Sequence, residues 1–183
     1  MKKYDNTMMK TAILWSKESY CKRRQVGAVL AKEGRILSIG YNGLPKGYKT
    51  NDCETISITK KEVCPYCSHS TFWNGTYTNY HCQRCDEKFD NPKIEEIEQK
   101  VTKDIVIHAE SNALAFAGKY GISTKDCDLY VTLSPCIECS KIIIQHGIKR
   151  VVYLDEYKDT RGLDFLKENG VEVQKIEQIK DIL

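Results

Sequence analysis

Two short motifs constrain this chain more than anything else in it. His108-Ala109-Glu110 opens one helix-like stretch, and Pro135-Cys136-Ile137-Glu138-Cys139 opens another. A histidine and a Cys-x-x-Cys pair can serve one metal ion only if the fold brings both helix starts to one point. A helix N-terminus carries partial positive charge and free N–H groups, which stabilise thiolates. His108, Cys136 and Cys139 supply three ligands and leave a fourth position open, the pattern of a catalytic rather than a structural zinc. Glu110, two residues past His108, can lie beside the ion without ligating it, where a proton carrier is needed.

The rest of the chain supplies a scaffold for that convergence. Apolar residues at Met8, Met9, Ala12, Ile13 and Trp15 predict a helix within 4–20. Residues 25–32 read as a buried strand, Glu33-Gly34 as a tight turn, and 35–41 as the returning strand of a hairpin. Residues 42–47 form a loop rich in breakers. After residue 105 the pattern alternates: helix 108–120 before Gly121, strand 128–133, helix 136–146 before Gly147, strand 149–154, helix 160–169 before Gly170, and a short strand at 171–173. Such alternation predicts an α/β domain with a sheet covered on both faces.

Between them, residues 55–100 have a different texture and read as an insertion into a single domain spanning 1–183. Cys64-x-x-Cys67 and Cys82-x-x-Cys85 have the spacing of a zinc ribbon within 62–88, with a hairpin between two knuckles. Four thiolates close the shell, so this second zinc is expected to be structural and to supply stability that the few apolar residues cannot. His69 and His81 flank the knuckles. The run Lys93-Ile-Glu-Glu-Ile-Glu-Gln-Lys100 reads as an acidic helix. Lys60, Lys61 and Arg84 beside Trp73, Tyr77 and Tyr80 raise nucleic-acid contact, but Asp86, Glu87 and Asp90 argue against it. Cys21, Cys53 and Cys127 are expected to be buried free thiols.

Bulk properties narrow the class. The 183 residues are 41% hydrophobic and 29% charged, ordinary values for a globular protein, and a formal charge of +3 gives no reason to expect nucleic acid. No apolar run reaches the ~18 residues of a membrane span, and the N-terminus lacks signal-peptide features. A cytoplasmic location follows as the expectation. Six of the nine cysteines fall in three Cys-x-x-Cys pairs, which in a reducing compartment points to metal rather than disulfides.

His-x-Glu followed by Pro-Cys-x-x-Cys is the signature of the zinc deaminases. Within that group the chain resembles the deoxycytidylate (dCMP) deaminases of phages and Gram-positive bacteria. The residues carrying the likeness are HAESNAL, LYVTLSPCIECSK and GIKRVVYLDEY, with CKRRQVGAVL and GRILSIGYNGLP upstream. The resemblance implies a cytidine-deaminase-like three-layer α/β/α sandwich with a mixed five-stranded sheet. It implies hydrolysis of dCMP to dUMP and ammonia, supplying thymidylate synthesis, with Glu110 moving the protons. It implies that Asn42 contacts the sugar, Arg23 or Arg24 the 5′-phosphate, Tyr157 the same end of the nucleotide, and Ser134 the base. It also implies homo-oligomers, commonly hexamers, and regulation by dCTP and dTTP with Mg2+ through the loop that includes Tyr41, Gly43 and Pro45. No Asp-Pro follows Ser19-Tyr20, where regulated members frequently have one. A deaminase of bases within RNA or DNA and a non-catalytic zinc module are the competing readings. The Gly40-Tyr41-Asn42-Gly43 loop favours a free nucleotide over the first, and Glu110 argues against the second.

Overall fold

A computed structural model of the chain describes residues 2–70, 72–74 and 80–177, the side chains of 72–74 excepted. Helix α1 spans Asp5–Ser16, followed by strands β1 (Gly27–Lys32) and β2 (Arg35–Tyr41). Five strands follow: β3 (Glu54–Val63), β4 (Phe72–Asn74), β5 (Tyr80–Cys82), β6 (Lys88–Phe89) and β7 (Lys93–Thr102). The chain then runs α2 (Ala109–Lys119), β8 (Asp128–Leu133), α3 (Ile137–Gln145), β9 (Arg150–Asp155), α4 (Arg161–Glu168) and β10 (Glu172–Lys175). Residues up to Cys53 and from Thr102 onward form one compact unit, and Glu54–Val101 form another.

The first unit is a mixed five-stranded sheet in the order β10-β9-β8-β1-β2. Strands β8, β9 and β10 run parallel, with α3 and α4 as their crossovers, while β1 is antiparallel to both β8 and β2. Glu33 and Gly34 both take positive φ (52° and 76°), the conformation that a two-residue hairpin needs to match strand twist. Alternate residues of the central strands serve two cores. Ala28, Leu30, Leu129, Val131 and Val151 pack with α2, α3 and α4, whereas Val29, Ala31, Tyr130 and Val152 pack with Met8, Met9 and Ala12 of α1. The result is the three-layer α/β/α sandwich.

Two glycines set how closely helices approach the sheet end that carries the motifs. A Cβ on Gly40 of β2 would lie 2.3 Å from Ala109 O at the start of α2, and one on Gly162 of α4 would lie 2.2 Å from Pro135 O. At the opposite end of the sheet, α1 is tied down by a buried ion pair. Arg150 Nη1 and Nη2 donate to Asp5 Oδ1 and Oδ2 at 2.9 and 2.7 Å, Tyr130 OH donates to Asp5 Oδ1 at 2.8 Å, and Arg150 also donates to Gln174. Both charged side chains are almost fully buried, at 1% and 0% exposure.

The second unit holds two small sheets, β3 with β7 and β4-β5-β6. Its interior is Cys64, Cys82 and Phe89, with Tyr80 stacked on Phe89 at 5.6 Å. The acidic helix expected at 93–100 is instead strand β7. The spacing of Ile94 and Ile97 suits a helix, but pairing with β3 wins, and Lys60 of β3 meets Glu96 of β7 at 3.5 Å. A second expectation is also corrected. Cys21 and Cys53 are not free thiols but a disulfide, with Cα atoms 5.1 Å apart in a buried cluster with Val106. They lie 32 residues apart in sequence, so no local pattern announced the pairing. Trp73's side chain and Tyr77, considered above for nucleic-acid contact, lie outside the described residues. No helix among the described residues is long and apolar enough to cross a membrane.

Candidate active site

His108 is the N-cap of α2 and Cys136 the N-cap of α3, both with extended backbone and neither spending its side chain on a capping hydrogen bond. Their side chains are therefore free to turn away from the helix ends. His108 Nδ1 lies 3.3 Å from Cys139 Sγ and 3.5 Å from Cys136 Sγ. The three donor atoms lie within 4.8 Å of one another. A tetrahedral zinc with bonds of about 2.05 Å to nitrogen and 2.3 Å to sulfur needs N···S separations of about 3.5 Å, which these donors match. Cys139 is buried and Cys136 half-buried, while His108 is exposed, so the cluster opens to solvent on one side.

The electrostatics fit a cation. The Cys136 thiol is lowered to about 3, first by a hydrogen bond from Cys139 and also by His108. Cys139 is pushed up because Cys136 beside it takes the negative charge and because it is buried. The pair thus holds a shared proton that a divalent ion can displace. Glu110, in the first turn of α2, is 4% exposed, and burial raises its carboxyl to about 6. A cation at the three donors works against that rise and favours the carboxylate.

Sequence reading missed one member of the site. Ser111 Oγ lies 3.7 Å from Cys139 Sγ. The signal available was its place three residues after His108, on the same face of α2.

Most of the other expected site residues come together from the segment ahead of β1, the residue after β2 and the loops after β8 and β9. The Asn42 amide is engaged with backbone at both ends: its Oδ1 accepts from Val26 N–H at 2.7 Å and its Nδ2 donates to Arg24 O at 2.9 Å. One N–H and one lone pair remain on it. The Arg24 guanidinium lies 5.9 Å from the Tyr157 ring centroid. Ser134 Oγ accepts from Tyr157 N–H at 2.8 Å, and Ser134 N–H donates to Asp155 O at 2.8 Å. Arg24 also lines a cavity of about 660 Å³ with Gln25, Thr132 and Asp155, near the carboxyl ends of β8 and β9. Arg23 is set apart from it, donating to Thr102 Oγ1 at 3.1 Å. Tyr41, the last residue of β2, stacks on Trp15 at 6.3 Å, and in the loop that follows Gly43 bridges Ile107 just ahead of His108 and Pro45 O accepts from Tyr48 N–H.

The four cysteines of the second unit form their own donor set. Cys64 and Cys85 sulfurs lie 3.7 Å apart, and Cys67 and Cys82 sulfurs 3.6 Å, far beyond the ~2.05 Å of a disulfide. Zinc–sulfur bonds of about 2.3 Å in a tetrahedron need S···S edges of about 3.8 Å. The two knuckles repeat one backbone pattern. Ser68 N–H donates to Cys64 O and Asp86 N–H to Cys82 O, each at 2.9 Å, and Ser68 and Asp86 both take positive φ. The Cys82 thiol is lowered to about 6 by the N–H groups of Cys85 and Arg84. His81 Nε2 is held by Asp86 Oδ1 at 2.6 Å.

Comparison with known proteins fits this geometry. Residues 2–155 match the cytidine and deoxycytidylate deaminase zinc-binding region. The deoxycytidylate deaminase of Enterobacteria phage T2 is 35% identical over 176 residues, covering 95% of this chain and 93% of the phage protein. That of Saccharomyces cerevisiae is 32% identical over 173 residues, 94% of this chain but 44% of the yeast protein. The crystal structure of dCMP deaminase from cyanophage S-TIM5 with dCMP and dUMP superposes with a TM-score of 0.69 at 36% identity, covering 96% of this chain and 99% of that one.

Proposed function

The chain belongs to the cytidine and deoxycytidylate deaminase family, and from that premise we propose that it hydrolyses dCMP to dUMP and ammonia. The observation that carries the proposal is the convergence of His108, Cys136 and Cys139 around one point, with the buried Glu110 carboxyl in hydrogen-bonding contact with Cys139. His108, Cys136 and Cys139 would hold a zinc ion, which would act as a Lewis acid and lower the pKa of water to about 7. We assign the proton transfers to Glu110. It takes a proton from the attacking water as oxygen bonds to C4 of cytosine, and delivers it to N3. A second transfer to the exocyclic amine lets ammonia leave, and C4 keeps the oxygen as the carbonyl of uracil.

Arg24 is assigned to the 5′-phosphate, supported by its opening onto the cavity and its place beside Tyr157. Arg23, engaged with Thr102, is the weaker candidate for that role. Asn42 has one amide N–H to offer the sugar while its other bonds hold the Arg24–Val26 backbone in position. Ser134 orients Tyr157 at the same end.

Ammonia release tests the proposal with dCMP, dCTP, deoxycytidine and a cytosine-containing oligonucleotide as substrates. Turnover of dCMP is expected, and activity confined to the oligonucleotide overturns it. Repeating the dCMP assay with Mg-dCTP and Mg-dTTP tests regulation through Tyr41, Gly43 and Pro45. Kinetics unchanged by either triphosphate reject that part. A hexameric assembly and a cytoplasmic location complete the reading.

The second unit is assigned a structural zinc on Cys64, Cys67, Cys82 and Cys85, supported by the sulfur spacing and the paired knuckles. The purified chain is expected to hold about two zinc ions, and Cys64→Ser with Cys82→Ser is expected to reduce this to about one. A value near one for the unaltered, folded chain removes this assignment.

A further inference from the structure

The two sulfurs at the active site differ in their surroundings. Cys136 is half-buried and can be hydrated, but Cys139 is 2% exposed. A buried thiolate needs a donor from the protein. The Ser140 hydroxyl, next along α3, is committed elsewhere: its single proton serves Cys136 O and Gly162 O, each 3.0 Å from Oγ. Ser111 Oγ, on the first turn of α2, faces Cys139 Sγ on α3 at 3.7 Å.

We propose that Ser111 is a positioning residue that donates its hydroxyl to the Cys139 thiolate, sets how strongly that sulfur donates to the metal, and fixes the two ligand-bearing helices relative to each other. The inference rests on the assignment of His108, Cys136 and Cys139 as metal ligands. A ligating thiolate can only accept, so the hydroxyl is the donor. A hydrogen bond to a thiolate withdraws electron density from sulfur, which leaves the metal more electrophilic. Groups behind metal ligands typically change metal affinity 10–100-fold when removed.

The test uses the full chain loaded with cobalt(II) or with zinc. Ser111→Ala is expected to move the sulfur-to-cobalt charge-transfer band of this site to longer wavelength and to change zinc affinity about 10–100-fold, measured by chelator competition. The four-cysteine site contributes the same spectrum to both proteins and cancels in the difference. Alanine is the best helix former, so the variant is expected to remain folded. Ser111→Thr keeps a hydroxyl and is expected to restore the band and the affinity. Identical bands and affinities for unaltered protein and Ser111→Ala overturn the proposal, as does a Ser111→Thr variant that behaves like Ser111→Ala. Failure of unaltered protein to bind cobalt through His108, Cys136 and Cys139 overturns the ligand assignment instead.

Discussion

Glu110→Gln is expected to leave the protein folded and loaded with about two zinc ions while lowering kcat for dCMP by roughly 10²–10⁴-fold. Glutamine has the same shape and keeps an acceptor oxygen, but it cannot take up and release a proton at this step. Retention of metal follows because the three donor atoms come from His108, Cys136 and Cys139, and the carboxylate is not among them. Stability should not fall, because Glu110 is 4% exposed and a neutral amide is easier to bury than a carboxylate. Zinc content, thermal unfolding and dCMP turnover measured on the same preparation separate the possibilities. A variant within tenfold of full activity removes Glu110 from the proton path, and one that loses zinc makes it a ligand.

The second large effect is on stability. Arg150→Met is expected to cost about 3–5 kcal/mol at neutral pH, because it leaves the Asp5 carboxylate buried without its partner. For a chain of this size that is a fall in Tm of roughly 6–20 °C. The pH dependence follows from Asp5. Burial alone would raise its carboxyl, but bonds from Arg150, Tyr130 and the Lys2 N–H more than offset this and hold it at about 2, below the ordinary 3.8. A carboxyl depressed in the folded state stabilises the fold above its unfolded pKa, and that contribution disappears as pH falls through the folded value. The gap in unfolding free energy between unaltered protein and Arg150→Met should therefore be smallest near pH 2 and widen as pH rises through 4, continuing upward while the unpartnered Asp5 of the variant ionises. Both proteins lose zinc in acid, so the difference between them isolates the ion pair. A gap independent of pH would show that lost packing of the arginine stem, not its charge, explains the effect.

Sequence alone revealed features that are local. His108 and Cys136 could be placed at helix starts because helix periodicity and strand alternation are written within a few residues. The hairpin of β1 and β2 was legible for the same reason, since Glu33-Gly34 can only turn. What escaped was pairing across distance. Ile94 and Ile97 of β7 fit a helix or a strand equally well until β3 is known to lie alongside. The Cys21–Cys53 bond, the Asp5–Arg150 pair and the Ser111–Cys139 contact join segments that share no sequence pattern. Nothing in the sequence showed that the Asn42 amide, proposed to meet the sugar, braces the backbone that carries Arg24.

The disulfide lies where the polypeptide leaves the sandwich. Cys53 is the last residue before the second unit, and Lys103 N–H, just after the return, donates to Cys53 O at 2.9 Å. Departure and return thus meet at a single hydrogen-bonded doorway, locked from the far side by Cys21. A detour with such closely spaced ends is an exchangeable cassette. Its length can change for little more than the slow logarithmic growth of loop-closure entropy. The strands, both helix N-termini and the three converging donors all belong to the remaining chain.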